Sequence, residues 1–288
     1  MAPLGRLIRF RDEAENIHFG EPSTSPWDEA LAQGRLEATV FTGQDPFHLT
    51  PSSKVLKVKE VLPLLTANDV PIIKCVGLTT SNTGVQEGGR KPPPYPSIFI
   101  KPRTSVAGYI EDIPIPKPAQ DDQLNYEGEL CIVIGKTGKD IPRSEVLEYI
   151  AGFVVGNDVS ARKWQRDPAF AGGVPQWCFS KSFDNFAPLG AVLVSPKVVG
   201  NAENLRLQTF VNNELRQDII TSDLLFNTED VVAFVSHGTT LGAGTAIMTG
   251  TPAGVAMGMK EPKWLKDGDI VEVKIEELGN VKNRMSFQ

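Results

Sequence analysis

Two carboxylates stand two residues apart in Tyr126-Glu127-Gly128-Glu129-Leu130, and the apolar run Cys131-Ile132-Val133-Ile134 follows at once. In a strand, positions i and i+2 project to the same face. Glu127 and Glu129 would then share one small volume. Left unpaired they repel, and one of them is pushed to stay protonated. A hard divalent cation such as Mg²⁺, Mn²⁺ or Ca²⁺ removes that cost. An exposed acidic strand edge is the other reading, and the motif by itself does not choose between them. Asp158 lies at the mouth of the apolar stretch 151–155, a common place for a ligand or a cap.

Strands are needed on both sides of these residues, and the sequence offers them. Residues 7–11 and 17–20 read as a hairpin around a polar turn, and 38–41 and 57–65 as further strand material. Residues 71–78 form a buried-strand candidate that empties into the polar, Gly-rich stretch 79–91, and 97–102 reads as the next strand. A short helix is expected over 143–149, with Ser144 as its N-cap candidate, and a Gly- and Pro-punctuated loop over 166–173. Segment 205–211 alternates as a half-buried strand should, and Asn212-Asn213 turns it into a hairpin. An amphipathic helix over 227–236 has Thr228 as N-cap candidate and acidic residues in its first turn. The strand over 244–248 leads into a tight turn, and 270–275 alternates again. Many short strands and few helices indicate an α+β, mainly β chain. Residues 1–70 read as a small N-terminal β-rich domain and 71–288 as a larger catalytic one. His18, His48 and His237 read as surface, core or helix-end residues rather than catalysts.

The chain has 288 residues and a net charge of −6, ample for a core and unlike the basic balance of nucleic-acid binders. No apolar run reaches the length that spans a bilayer. The first residues lack an apolar secretory segment. Cys75, Cys131 and Cys178 are far apart and odd in number, so a disulfide framework is not expected. Together these features point to a cytoplasmic protein with no nucleic-acid or membrane partner.

Several motifs stand in one order: Lys101-Pro102, Tyr126 to Leu130, Gly156-Asn157-Asp158-Val159-Ser160-Ala161-Arg162, Lys181-Ser182-Phe183-Asp184, Pro188-Leu189-Gly190, Thr249-Gly250-Thr251-Pro252-Ala253-Gly254-Val255, and Leu265-Lys266-Asp267-Gly268-Asp269. This order closely resembles the fumarylacetoacetate hydrolase family over residues 71–288. The resemblance implies layered mixed β-sheets with a roll-like core, and a homodimer. It implies a divalent cation, Mg²⁺ first and Mn²⁺ or Ca²⁺ as alternatives, held by Glu127, Glu129 and Asp158. A 2-oxo or β-dicarbonyl acid would complete the coordination, and the metal would stabilise its enolate. Lys181 matches the active-site lysine and Thr251 the substrate-binding threonine. Arg162 and Gln165 match pocket-lining positions of some members.

One stretch departs from the family pattern. Hydrolytic members carry a His–Glu pair, three residues apart, that activates water. Here Thr83 stands at the His position and Gln86 at the Glu position. Neither is a general base near neutral pH. Glu87, one register away, supplies a carboxylate but no His. Metal–enolate chemistry is therefore expected, as decarboxylation, isomerisation, tautomerisation or cyclisation. The alternatives are a carbon–carbon hydrolase with Glu87 as substitute base, and a non-catalytic homologue that binds metal and ligand.

Overall fold

A computed structural model describes residues 5–24, 27–77 and 93–288. Thr83, Gln86 and Glu87 lie outside the described residues. The remainder is mainly β, an α+β arrangement as expected. Its largest element is a ten-stranded sheet. In spatial order its strands are Ile17–Pro22, Glu37–Thr42, Thr50–Leu62, Arg6–Asp12, Val192–Val194, Ile150–Asn157, Gly128–Ile134, Ala246–Met248, Ile73–Gly77 and Ser97–Lys101. The neighbours are antiparallel except Ala246–Met248 on Ile73–Gly77, which run parallel. A five-stranded sheet follows the order Glu214–Ile220, Arg206–Val211, Ile270–Ile275, Gly279–Phe287 and Ile113–Ile115. The expected N-terminal strands form, and they reach the larger sheet where Arg6, Leu7 and Ile8 pair with Val194, Leu193 and Val192.

Strand Gly128–Ile134 is buried along its whole length, and beyond Glu129 it is apolar on both faces. The two-residue period sorts its side chains. Leu130, Ile132 and Ile134 join a core shared with Leu207, Val271, Val273 and Val281 of the five-stranded sheet. Cys131 and Val133 join another core with Cys75, Val154 and Met248. By the same period Gly128 faces the five-stranded sheet, while Glu127 and Glu129 face away from it.

The hairpin over 206–220 turns at Asn212 and Asn213, with φ of 50° and 67°. Both values are left-handed, which a two-residue hairpin turn favours and asparagine tolerates. Three local expectations need correction. Ser144 caps nothing: the 3-10 turn Arg143–Glu145 follows Pro142, and no side-chain cap bond forms there. Helix Thr228–Ser236 is capped by Asn227, whose side chain accepts the Asp230 N–H. Thr228 instead donates its hydroxyl to the Asn201 carbonyl at 2.7 Å. The stretch 166–173 is not all loop. It continues from helix Arg162–Arg166 into Pro168–Ala171, where Asp167 caps the Ala169 N–H and Pro168 occupies the first turn. That is a helix-start signal which the surrounding Pro and Gly residues masked. No described helix is long and apolar enough to cross a membrane.

Candidate active site

The end of strand Ile150–Asn157 is tied to the start of strand Gly128–Ile134. Asn157 Oδ1 accepts the Glu127 N–H at 2.9 Å, and the Asp158 N–H donates to the Glu127 carbonyl at 2.9 Å. These bonds bring Asp158 beside the paired glutamates. One carboxylate oxygen from each of Glu127, Glu129 and Asp158 lies within 4.8 Å of the others. All three residues are buried. Neither glutamate lies on an exposed strand edge.

Lys181 ends the short helix Trp177–Lys181 and reaches into this cluster. Its Nζ donates to Glu127 Oε2 at 2.8 Å, Asp158 Oδ2 at 2.6 Å and Ser160 Oγ at 2.7 Å. The three ammonium protons are all used. Phe99 lies beneath it, with the ring centroid 5.1 Å from Nζ. Arg162 bonds Glu127 Oε1 through one guanidinium nitrogen and Gln165 Oε1 through another, the latter at 2.6 Å. Gln165 therefore meets the cluster through Arg162. Thr251 lies on the far side of the glutamate backbone, where its Oγ donates to the Gly128 carbonyl at 3.0 Å. The intervening Gly250 N–H donates to Glu129 Oε2 at 2.8 Å.

Lys101 belongs to the same site and was not singled out from sequence as a site residue. Its Nζ lies 2.6 Å from Asp158 Oδ1 and donates to the carbonyls of Val159 at 3.1 Å and Phe186 at 2.5 Å. The signal was present: a lysine closing the apolar strand Ser97–Lys101 is fully buried here, and a buried ammonium needs a partner. Gln217 also went unnoticed. It bonds both Gly128 and Thr251 from the five-stranded sheet.

Burial dominates the electrostatics. It pushes the Glu129 carboxyl well above the ordinary carboxylate range, and the nearby Asp158 adds to the effect. Burial also pulls Lys101 and Lys181 below the usual lysine range, opposed in both cases by Asp158. Burial and the neighbouring Arg166 lower Arg162 as well, while the Glu127 carboxylate in contact with it favours the charged form. Cys75 and Cys131 are buried free thiols pushed upward by desolvation, so neither is an activated nucleophile.

A hard cation fits these residues. The donor set is oxygen only. Asp158 Oδ1 is buried and lacks an aligned hydrogen bond despite its ion-pair contact with Lys101. Burial raises the Glu129 pKa, and a bound cation would oppose that shift. Such a group could polarise an oxo substrate, and the surrounding lysines could carry protons.

Comparisons with known proteins place the chain in a family. A family model described as fumarylacetoacetate (FAA) hydrolase C-terminal matches residues 73–286. A mitochondrial oxaloacetate tautomerase of Rattus norvegicus is 40% identical over 298 residues, covering 97% of this chain and 91% of the relative. A mitochondrial oxaloacetate tautomerase of Homo sapiens is 38% identical over 255 residues, covering 88% and 78% respectively. The crystal structure of a 5-carboxymethyl-2-hydroxymuconate delta-isomerase from Mycobacterium smegmatis superposes with a TM-score of 0.79 at 29% identity, covering 98% of this chain and 100% of that one. The mitochondrial relatives overturn the cytoplasmic expectation. The expectation rested on a criterion for secretory segments, and mitochondrial leaders are amphipathic rather than apolar. With most of its length matched by the family model and nearly all of it by a relative, this chain belongs to the fumarylacetoacetate hydrolase family.

Proposed function

We propose that the protein interconverts the enol and keto forms of oxaloacetate. A divalent cation, Mg²⁺ first, is held by Glu127, Glu129 and Asp158. The observation that carries this reading is the three-carboxylate cluster with the Lys181 ammonium inside it. The names of the relatives narrow the substrate. Tautomerisation of this acid breaks an O–H bond and forms a C–H bond, or the reverse, and consumes no water. It needs no water-activating dyad, which is consistent with Thr83 and Gln86 at those positions.

When bound, the cation draws electron density from the 2-oxo oxygen and acidifies the adjacent C–H. The chain's own residues do the rest. Lys181 donates to Glu127, Asp158 and Ser160, is placed to pass a proton, and has its pKa lowered by burial. Arg162, braced by Gln165, fixes Glu127. Lys101 fixes Asp158. Three carboxylates and three cations (Lys101, Lys181 and Arg162) cancel in charge. A divalent ion then leaves an excess that suits a dianionic acid. A homodimer, a mitochondrial location and the division into residues 1–70 and 71–288 complete the proposal.

The test follows enol loss spectroscopically in Mg²⁺-loaded protein, with Lys181→Met beside the wild type. The variant should be slower by about 10²–10⁴-fold, the usual loss for a general acid–base group. Rapid acylpyruvate hydrolysis with no effect on enol loss would contradict the reading.

A further inference from the structure

Strand Arg6–Asp12 carries three arginines. Arg6 pairs with Glu277, and Arg11 pairs with Glu15 and Glu60. Arg9 stands between them, half-buried, and pairs with no carboxylate among the described residues. Its Nε is buried without a hydrogen bond, and no described residue hydrogen-bonds its Nη atoms. Its Cζ lies over the Phe19 ring, 5.9 Å from the centroid, at the outer limit of a cation–π contact. The backbone cannot yield to relieve this, because Arg9 is laddered to Phe19 on one side and to Leu62 on the other.

Arg9 lines a cleft of ≈ 350 Å³, and Leu62, Pro63, Leu65 and Val106 give it apolar walls. Glu111 also lines the cleft, but its Oε2 accepts the Gly108 N–H at 2.9 Å and forms no ion pair with Arg9. None of these residues belongs to the carboxylate cluster. The volume is at the small end for ligand cavities. A guanidinium partly withdrawn from water gains most from an anion that offers two oxygens to its planar fork. The apolar walls favour a short hydrocarbon tail on that anion, and Glu111 disfavours a second negative charge. We propose that the Arg9 cleft is a binding site for a small monocarboxylic acid with a short alkyl chain, separate from the carboxylate cluster.

The test is an NMR titration of the Mg²⁺-loaded, isotope-labelled chain with butyrate as the probe. The arginine Nε–H resonance that disappears in Arg9→Met identifies Arg9, and in the wild type it should shift saturably with butyrate. The Gly108 amide, which also lines the cleft, reads the variants. Arg9→Met should weaken butyrate about 10–100-fold, the scale of a hydrogen bond to a charged group. Arg9→Lys keeps the charge but not the fork, so it should also lose affinity, and it serves if Arg9→Met does not fold. Acetate, shorter by two methylenes, should bind about tenfold more weakly than butyrate. Glu111→Gln should tighten butyrate, and inorganic phosphate should bind more weakly than butyrate. An Arg9 resonance that does not move, unchanged affinity in the Arg9 variants, or phosphate binding as tightly as butyrate would overturn the proposal. Shifts confined to Glu127, Glu129 and Asp158 would place the acid at the carboxylate cluster and would overturn it equally.

Discussion

On one side of the segment 127–134 lie Glu127 and Glu129 with Asp158, Lys101, Lys181 and Arg162. On the other, Gly128 packs against Thr209, Val273 and Gln217. The first side is built from charges that need one another. Each carboxylate is buried, and neutrality there depends on cations arriving from three separate elements. The second side meets Gly128 with neutral side chains. It is set by steric fit and by one amide whose hydrogen bonds are all made. The difference separates two tasks. The neutral face fixes where the backbone lies, and the charged face can then exchange its counter-ions without the strand moving.

Breaking the charged face should have the largest effect. Asp158→Asn removes one carboxylate charge with little change of shape. A loss on the order of 10³-fold in metal-dependent turnover is expected, corresponding to several kcal/mol of electrostatic stabilisation. Activity near wild type would remove Asp158 from the centre. Lys101→Met should act on stability first. Losing one partner of a buried pair costs about 3 kcal/mol, the lower end of the usual range because Lys181 still faces Asp158. Urea unfolding in chelator would read this loss, and added Mg²⁺ should recover part of it.

The neutral face is tested by Gly128→Ala. A Cβ there would sit 2.2 Å from Thr209 Oγ and 2.9 Å from Val273 Cγ1. Overpacking of this kind costs about 1–3 kcal/mol, and the loss should appear equally with and without metal. A loss seen only in the metal-free protein would mean that the two faces are not separate. The smallest effect concerns pH. Glu129 has a folded pKa raised above its ordinary 4.5, so the native state holds more protons than the unfolded one. Its contribution is complete below the ordinary value and is lost as pH rises through the folded value. Thermal melts of chelator-treated protein should therefore fall over that range relative to Mg²⁺-loaded protein, in which the carboxylate stays ionised. Parallel curves would contradict the assignment.

Much of this was legible in the chain. The carboxylates announced themselves through spacing, and Asp158 through its place at the end of an apolar strand. Strands with a clear two-residue period, such as Arg206–Val211 and Ile270–Ile275, appear where expected. The short helices between Arg162 and Lys181 were hidden by Pro and Gly residues that usually mark loops. Lys101 looked like an ordinary strand-end lysine, because its partners come from residues 158, 159 and 186. Gln217 carried no local signal at all. Its function depends on two sheets meeting at a residue without a side chain, and pairings at that separation leave no periodic trace in sequence.

Everything proposed for the charged face depends on Glu127, Glu129 and Asp158 together holding one divalent cation. Calorimetric titration of metal-stripped protein with Mn²⁺ reads this out, with Glu129→Gln as the comparison. One ion per chain, proton release that grows as pH falls toward the ordinary glutamate range, and loss of binding in Glu129→Gln are expected. Unchanged affinity and stoichiometry in that variant would contradict it.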